Sequence, residues 1–163
     1  MQETSPKLDK TPSRRKQREF AFQVLYALNF SLQSECPEKI LKQLQLSLDN
    51  FPDKRKNNFY PDQAVFAWEL INGVIQNLSQ IDDHIARYST NWKINRIAKI
   101  ELTILRLATF ELLFRPDIPP KVSINEAVEL AKNFGDLHSK TFVNGILDAI
   151  ARDINNGQLG LDR

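Results

Sequence analysis

Side chains that bind metals or form cross-links are scarce in this sequence, which holds one cysteine and two histidines in 163 residues. The lone cysteine, Cys36, cannot close a disulfide within the chain, and so few thiols and imidazoles argue against a structural zinc site. This composition indicates a reducing, intracellular environment.

Glycine is also rare, with five residues. No glycine-rich phosphate loop, zinc-protease motif or nucleophile elbow occurs, so the sequence predicts no catalytic residues, no cofactor and no metal. Residues 82–84, Asp-Asp-His, imitate a metal cluster, but adjacent helical residues point in different directions, which favours a solvated face.

Long apolar runs are missing as well. No stretch of about eighteen uncharged apolar residues could form a membrane span. The first nineteen residues hold six basic side chains and no apolar run, which excludes a secretion signal. We therefore expect a soluble, cytoplasmic protein that does not contact membranes.

Positive charge is concentrated at the front of the chain. Six of the 22 basic and three of the 20 acidic residues lie in the first 26 positions, which leaves a near balance elsewhere. Between Lys10 and Arg18 there are five cations and no anion. Such a block repels itself and gains from an anionic partner.

Hydrophobic periodicity predicts an all-α fold, a compact single-domain bundle of about seven helices around a buried central helix. The expected domain spans 13–155, between a disordered basic tail over 1–12 and a short tail over 156–163. The central helix is recognised by its apolar residues, which lie on every side. The predicted helices are approximately 11–32, 37–48, 62–78, 81–88, 97–114, 123–134 and 138–155.

Local signals suggest where these helices begin and end. We expect Asp62 to cap the third helix, with Val65 facing inward, and Ser123 and Glu126 to form a capping box. Gly135 has the place of a helix C′ residue, and Gly145 is expected to permit a close helix contact.

The first helix carries cations where a helix built only for stability would carry acids. Arg14, Arg15, Lys16 and Arg18 lie in its first turns, near the positive end of the helix dipole, where each cation is unfavourable. A bound phosphate chain reverses the sign, because backbone N–H groups and guanidinium groups then all meet anions. A solvated basic face without a ligand is the alternative.

The same helix carries a second stripe of aromatic residues, Phe22, Tyr26 and Phe30, which projects away from the apolar stripe around Val24. The stripe fits either a helix sandwiched in the core or a surface on which a partner protein docks over Tyr26.

Four sequence segments together resemble the family of bacterial transcription antitermination factors called NusB. The match is strong in the C-terminal half and weak between Gln33 and Pro61. The segments read RRK-x-RE-x-A-x-Q-x-LY at 14–26, ILRLA-x-FEL at 104–112, IPPKV-x-INEAVELAK-x-FG at 118–135 and FVNGILD at 142–148.

This resemblance implies a non-enzymatic factor that binds single-stranded boxA RNA of ribosomal RNA transcripts. It also implies pairing with the ribosomal protein NusE, in an antitermination complex on RNA polymerase that promotes ribosomal RNA transcription. It places the protein partner at Tyr26 and Glu101. The RNA-binding residues that it implies are Arg14, Arg15, Lys16, Arg18, Tyr88, Phe134, Gly135, His138 and Phe142.

One departure is His138, where relatives commonly have an acidic residue; the alternative is an ordinary helix-cap position. In the binding that we expect, cations follow phosphates while Tyr88 or Phe142 stacks on an unpaired base. The chain also resembles the N-terminal domain of ribosomal RNA cytosine methyltransferases, so a detached RNA-binding or structural module is the second reading. The sequence after residue 150 is too short for the enzyme domain of such a protein.

Overall fold

The computed structural model describes residues 11–49, 59–89 and 93–157. Predictions on residues 1–10, 50–58, 90–92 and 158–163, including most of the basic tail, lie outside this part. The described residues form eight α-helices and one 3-10 helix, with no strand among them. The elements are α1 (Arg14–Ala27), α2 (Asn29–Ser34), α3 (Pro37–Asp49), α4 (Val65–Gln76), α5 (Leu78–Tyr88), the 3-10 helix (Ile94–Arg96), α6 (Lys99–Phe114), α7 (Pro120–Phe134) and α8 (Ser139–Asn155).

Helix α6 is the centre of the fold, as its all-round apolar pattern predicts. Every residue from 102 to 113 is buried. Helices α1, α4, α5, α7 and α8 all pack against it. Helix α4 approaches α6 closely because Gly73 has no side chain. A Cβ there would come within 2.1 Å of the Phe110 ring.

The first predicted helix is two helices. Ser13 caps α1 by accepting a hydrogen bond from the Lys16 N–H, at 3.3 Å. The chain then leaves the helix at Leu28 and resumes as α2. The aromatic stripe is also divided, since Phe22 is 3% exposed, whereas Tyr26 is 43% and Phe30 77% exposed. The core reading therefore holds for Phe22 and fails for the other two.

Two predicted helix starts are wrong. Helix α4 begins at Val65 after Ala64, so Asp62 is not its cap, and Val65 faces outward at 53% exposure. Helix α7 begins at Pro120, because a proline needs no N–H partner in the first turn and has a suitable φ. Ser123 therefore lies inside the helix, and the capping box does not form.

The two glycine predictions also need correction. Gly135 ends α7 in extended backbone, φ −91° and ψ −171°, rather than in the left-handed form of a C′ glycine. A Cβ at Gly135 would lie 2.4 Å from Ser139 Oγ, so the glycine permits a tight approach of α8. Gly145, which we expected at a helix contact, is exposed, with nothing within 4 Å of a built Cβ.

Among the described residues, no helix combines the length and apolar character that crossing a bilayer demands.

Candidate nucleic-acid interface

The N-terminal turn of α1 presents three exposed cations, Arg14, Arg15 and Lys16. This turn contains no acidic residue. The unpaired N–H groups of the turn and the helix dipole add to the same positive region. The first turn of α1 therefore has no acidic residue of its own to neutralise these cations.

Arg18 does not belong to this exposed group. Its side chain is 6% exposed, and Nε and Nη2 donate to the two carboxylate oxygens of Glu111 at 2.8 and 3.1 Å. Ser123 Oγ donates to the same carboxylate at 2.7 Å. The prediction that Arg18 contacts a ligand is thus corrected: its guanidinium joins α1, α6 and α7 inside the core, out of reach of a phosphate.

Arg15 is exposed but already paired. Its Nε and Nη2 donate to Glu126 of α7 at 3.1 and 2.9 Å. The hydrogen bond and the charge of Glu126 raise the pKa of Arg15 above its ordinary value. A phosphate at this site must therefore compete with a carboxylate or displace it.

Arg14 is held by a ring instead of a carboxylate. Its guanidinium carbon lies 4.7 Å from the centre of the Phe66 ring. No ion pair involves it among the described residues. Gln17 joins the start of α1 to the start of α4. Its amide oxygen accepts from the Ala67 N–H at 3.0 Å, and its amide nitrogen donates to Pro12 O at 2.8 Å.

Arg115, at the end of α6, also lies beside the Phe66 ring. It donates to both oxygens of Asp117, each at 2.9 Å, and to Glu69 at 2.7 Å. The hydrogen bonds and charge of Arg115 lower the pKa of Asp117. Sequence reasoning missed Phe66 and Arg115, because neither lies in a charge block or a recognisable motif.

The predicted segment from Phe134 to Phe142 links α7 to α8. Phe134 is half-buried, and its ring lies 4.8 Å from that of Phe22. Phe142 is also half-buried against the core, so each ring has a limited open face for stacking. Glu126 and Gly135 are nine residues apart along α7, which separates this segment from Arg15 by about 14 Å.

Asp136 organises the start of α8. Its carboxylate accepts from the N–H groups of His138 and Ser139 at 2.8 and 3.1 Å, and these bonds lower its pKa. His138 itself is exposed at the N-cap position, and its side chain makes no capping bond. The cap reading is right for its position, but the capping group is Asp136.

A surface cleft opens beside this segment, lined by Lys132, Gly135, Asp136, Leu137 and Lys140. Leu137 is 90% exposed. Lys132 Nζ forms an ion pair with Glu129 Oε1 at 3.2 Å, and Lys140 is exposed. The cleft thus combines two cations, one carboxylate, a glycine and an apolar side chain. Sequence reasoning did not single out Leu137 or the two lysines.

Tyr88 lies elsewhere. Its hydroxyl donates to Asp153 of α8, about three turns beyond Phe142. Burial raises the pKa of Tyr88 most, and the hydrogen bond to Asp153 raises it further. The structure therefore does not bring the Tyr88 hydroxyl to the segment that holds Phe142.

The two predicted partner-binding residues, Tyr26 and Glu101, differ in exposure and in hydrogen bonding. Tyr26 is exposed, as is Phe30, and the Tyr26 ring lies 6.0 Å from that of Phe22. Glu101 is half-buried and accepts a hydrogen bond from Ser139 Oγ at 2.8 Å. Glu101 is thus connected to the start of α8 and to its cap.

The solvated face predicted for residues 82–84 is correct only for Asp83, which is exposed. Asp82 accepts two hydrogen bonds from Arg106, each at 2.8 Å, and His84 is buried. In the part of the chain that the structure describes, no group of acidic, histidine or cysteine side chains is arranged to hold a metal ion.

Comparison with known proteins gives a consistent set of relatives. Residues 15–152 match the NusB family. Transcription antitermination protein NusB of Desulfovibrio desulfuricans is 45% identical over 150 residues, which cover 92% of this chain and 91% of that protein.

Two solved structures extend the likeness to the fold. T. maritima NusB is 41% identical with a TM-score of 0.70, over 88% of this chain and 93% of that one. A structure of the antitermination factors NusB and NusE in complex with dsRNA is 29% identical with a TM-score of 0.64, over 85% of this chain and 96% of that one.

Proposed function

The chain belongs to the NusB family of transcription antitermination factors, and we propose that it binds the single-stranded boxA element of ribosomal RNA transcripts together with NusE. In this proposal the protein joins an antitermination complex on RNA polymerase in the cytoplasm and promotes ribosomal RNA transcription. It acts by assembly, without catalysis.

The observation that carries the RNA part is the positive N-terminal turn of α1. Arg14 and Lys16 are exposed and lack ion-pair partners among the described residues, at a helix end whose dipole is also positive. For the helix alone, cations at its N-terminal end are unfavourable with respect to the dipole. A phosphate chain gains from every one of these groups.

The segment from Phe134 to Phe142 extends the proposed surface. Lys132 and Lys140 supply two further cations at the cleft, and the adjacent Leu137 offers an apolar contact for a base. Phe134 and Phe142 each keep part of a ring open. Together with α1, this surface combines phosphate contacts with apolar contacts, which suits an unpaired strand. Tyr88 remains a proposed RNA-binding residue, although its hydroxyl bonds to Asp153, away from the segment that holds Phe142.

The NusE part is supported by two exposed aromatic residues, Tyr26 of α1 and Phe30 of α2. Exposed aromatic side chains are enriched in protein interfaces. A solved structure of relatives contains NusB, NusE and dsRNA together. Glu101 is the proposed charged contact beside this apolar surface.

The test is a titration of labelled boxA RNA, and of a scrambled RNA of equal length, with and without NusE. We expect tighter binding of boxA, and a larger difference when NusE is present. Equal affinity for both RNAs under all conditions would contradict the proposal and favour a general RNA-binding module, as in the methyltransferase reading.

The two faces are separated with point variants. Tyr26→Ala is expected to weaken NusE binding and to leave the binding of RNA alone unchanged, while Arg14→Ala has the reverse effect. Glu101 is less suitable for this purpose, because its carboxylate also holds Ser139. If Tyr26→Ala instead weakened RNA binding and Arg14→Ala weakened NusE binding, the two proposed surfaces would be wrongly assigned.

A further inference from the structure

Three guanidinium groups surround one phenyl ring in this protein. The guanidinium carbons of Arg14, Arg18 and Arg115 lie 4.7, 5.0 and 5.3 Å from the centre of the Phe66 ring. Each distance is within the range of a cation–π interaction. Phe66 is 7% exposed, so this ring is largely shielded from water.

Two of the three cations are neutralised by carboxylates. Arg18 has Glu111, and Arg115 has Asp117 and Glu69. Arg14 has no ion pair within the described residues, and the ring is the contact that holds its guanidinium. The cluster therefore contains one exposed cation, Arg14, that lies over the ring and makes no hydrogen-bonded ion pair among the described residues, although the Asp117 charge also acts on it.

The position of the ring is itself fixed. Phe66 is the second residue of α4, and Arg14 is the first residue of α1. Gln17, 4% exposed, bonds to the Ala67 N–H and to Pro12 O, so that the starts of the two helices cannot move independently. Ring and guanidinium are thus presented together at the positive end of α1.

We propose that Phe66 is a positioning residue that holds the Arg14 guanidinium ready for a backbone phosphate of the bound RNA. An arginine that is already ordered loses less side-chain entropy when it binds. The guanidinium carbon lies over the ring, and no hydrogen bond to a carboxylate of the described residues holds its N–H groups, which can therefore donate to phosphate oxygens. This inference rests on the proposed RNA binding and adds the residue that organises it.

The test is a double-mutant cycle between Phe66→Leu, which keeps apolar volume but loses the aromatic face, and Arg14→Ala. The probe is a labelled boxA oligonucleotide, measured by fluorescence anisotropy over a range of KCl concentrations. We expect F66L to weaken binding roughly fivefold, because binding must then immobilise the Arg14 side chain at a cost of about 1 kcal/mol. In the R14A background, F66L should have no further effect.

Salt dependence separates positioning from contact. R14A should reduce the slope of log K against log salt by about 0.7, because one phosphate contact is lost. F66L should leave the slope unchanged, and Phe66→Tyr should restore most of the affinity. Val65→Ala is the matched control, since it truncates an exposed neighbour in the same turn of α4.

Two results would overturn the inference: F66L binding as tightly as the natural protein, or F66L losing the same factor in the R14A background. If F66L does not fold, the ring-current shift of the Arg14 Nε–H resonance in the natural protein decides, and an unshifted, freely averaging signal overturns the proposal. Failure of the proposed function gives a different result, because the natural protein would then bind boxA and the scrambled RNA with equal affinity.

Discussion

The Arg18 guanidinium and the Glu111 carboxylate form a two-point ion pair inside the protein, with bonds of 2.8 and 3.1 Å. The pair joins α1 to the central helix, and Ser123 of α7 donates to the same carboxylate. An arginine that reads in the sequence as part of a ligand-binding block is thus part of the core.

Removing one partner of this pair should destabilise the protein strongly. Arg18→Met leaves the Glu111 charge buried and unpaired, and we expect a loss of about 3–5 kcal/mol in the free energy of unfolding. Urea denaturation followed by circular dichroism measures it. Lys16→Met, an exposed cation two residues earlier, serves as the control, with a change within about 0.5 kcal/mol. A loss below about 1 kcal/mol for Arg18→Met would contradict the assignment.

Release of Arg15 from its carboxylate should strengthen RNA binding. Glu126→Gln removes the charge that competes with a phosphate, and we expect tighter binding with a salt slope steeper by about 0.7. Anisotropy titrations at several salt concentrations measure both quantities. Glu38→Gln removes one acidic charge from an exposed position in the first turn of α3, away from the proposed cations, and should have a smaller effect. Equal effects would indicate only a general change in net charge.

Two glycine-to-alanine changes should have opposite effects on stability. Gly135→Ala places a Cβ against Ser139 and 2.7 Å from Ala131 O, and should cost about 1–3 kcal/mol. Gly145→Ala lies on the open side of α8 and should stabilise the protein by about 0.5–1 kcal/mol. Thermal and urea unfolding of the two variants give the comparison. Destabilisation by Gly145→Ala would show an undetected contact on that face.

Stability should fall on mild acidification because of His84. Burial, with a smaller effect of Arg87, lowers the pKa of His84 below the ordinary 6.5. The unfolded chain then binds the proton more tightly, so stability is complete above about pH 6.5 and decreases as the pH falls toward the native pKa. Urea midpoints between pH 5.5 and 7.5 measure this decrease. His84→Leu should flatten it; an unchanged pH dependence in this variant would assign the effect to another group.

The sequence predicts the fold class better than it predicts the site. The all-round apolar pattern of α6 identifies the central helix because burial on every side is a property of the helix itself. The four cations near the start of α1 look alike in sequence, and what separates them comes from far away. Glu111 is 93 residues from Arg18, and Glu126 is 111 residues from Arg15.

The capping-box error has the same origin. Ser123 and Glu126 have the spacing of a local motif, but their side chains bond to α6 and α1. Their polarity serves tertiary contacts, whereas Pro120 starts the helix. Phe66 escaped notice for a related reason: an apolar residue in an amphipathic helix carries no local sign that three cations will surround it.

The hydrogen bond between Ser139 and Glu101 joins the two proposed faces. The same hydroxyl accepts from the Asp136 N–H, next to the cleft, at 3.0 Å. In the proposed complex, a protein that drew the Glu101 carboxylate away from Ser139 would loosen the turn beside the cleft. Linkage would make this effect reciprocal, so bound RNA would change the affinity for the protein partner by the same factor. Ser139, 2% exposed, would then couple the two binding events.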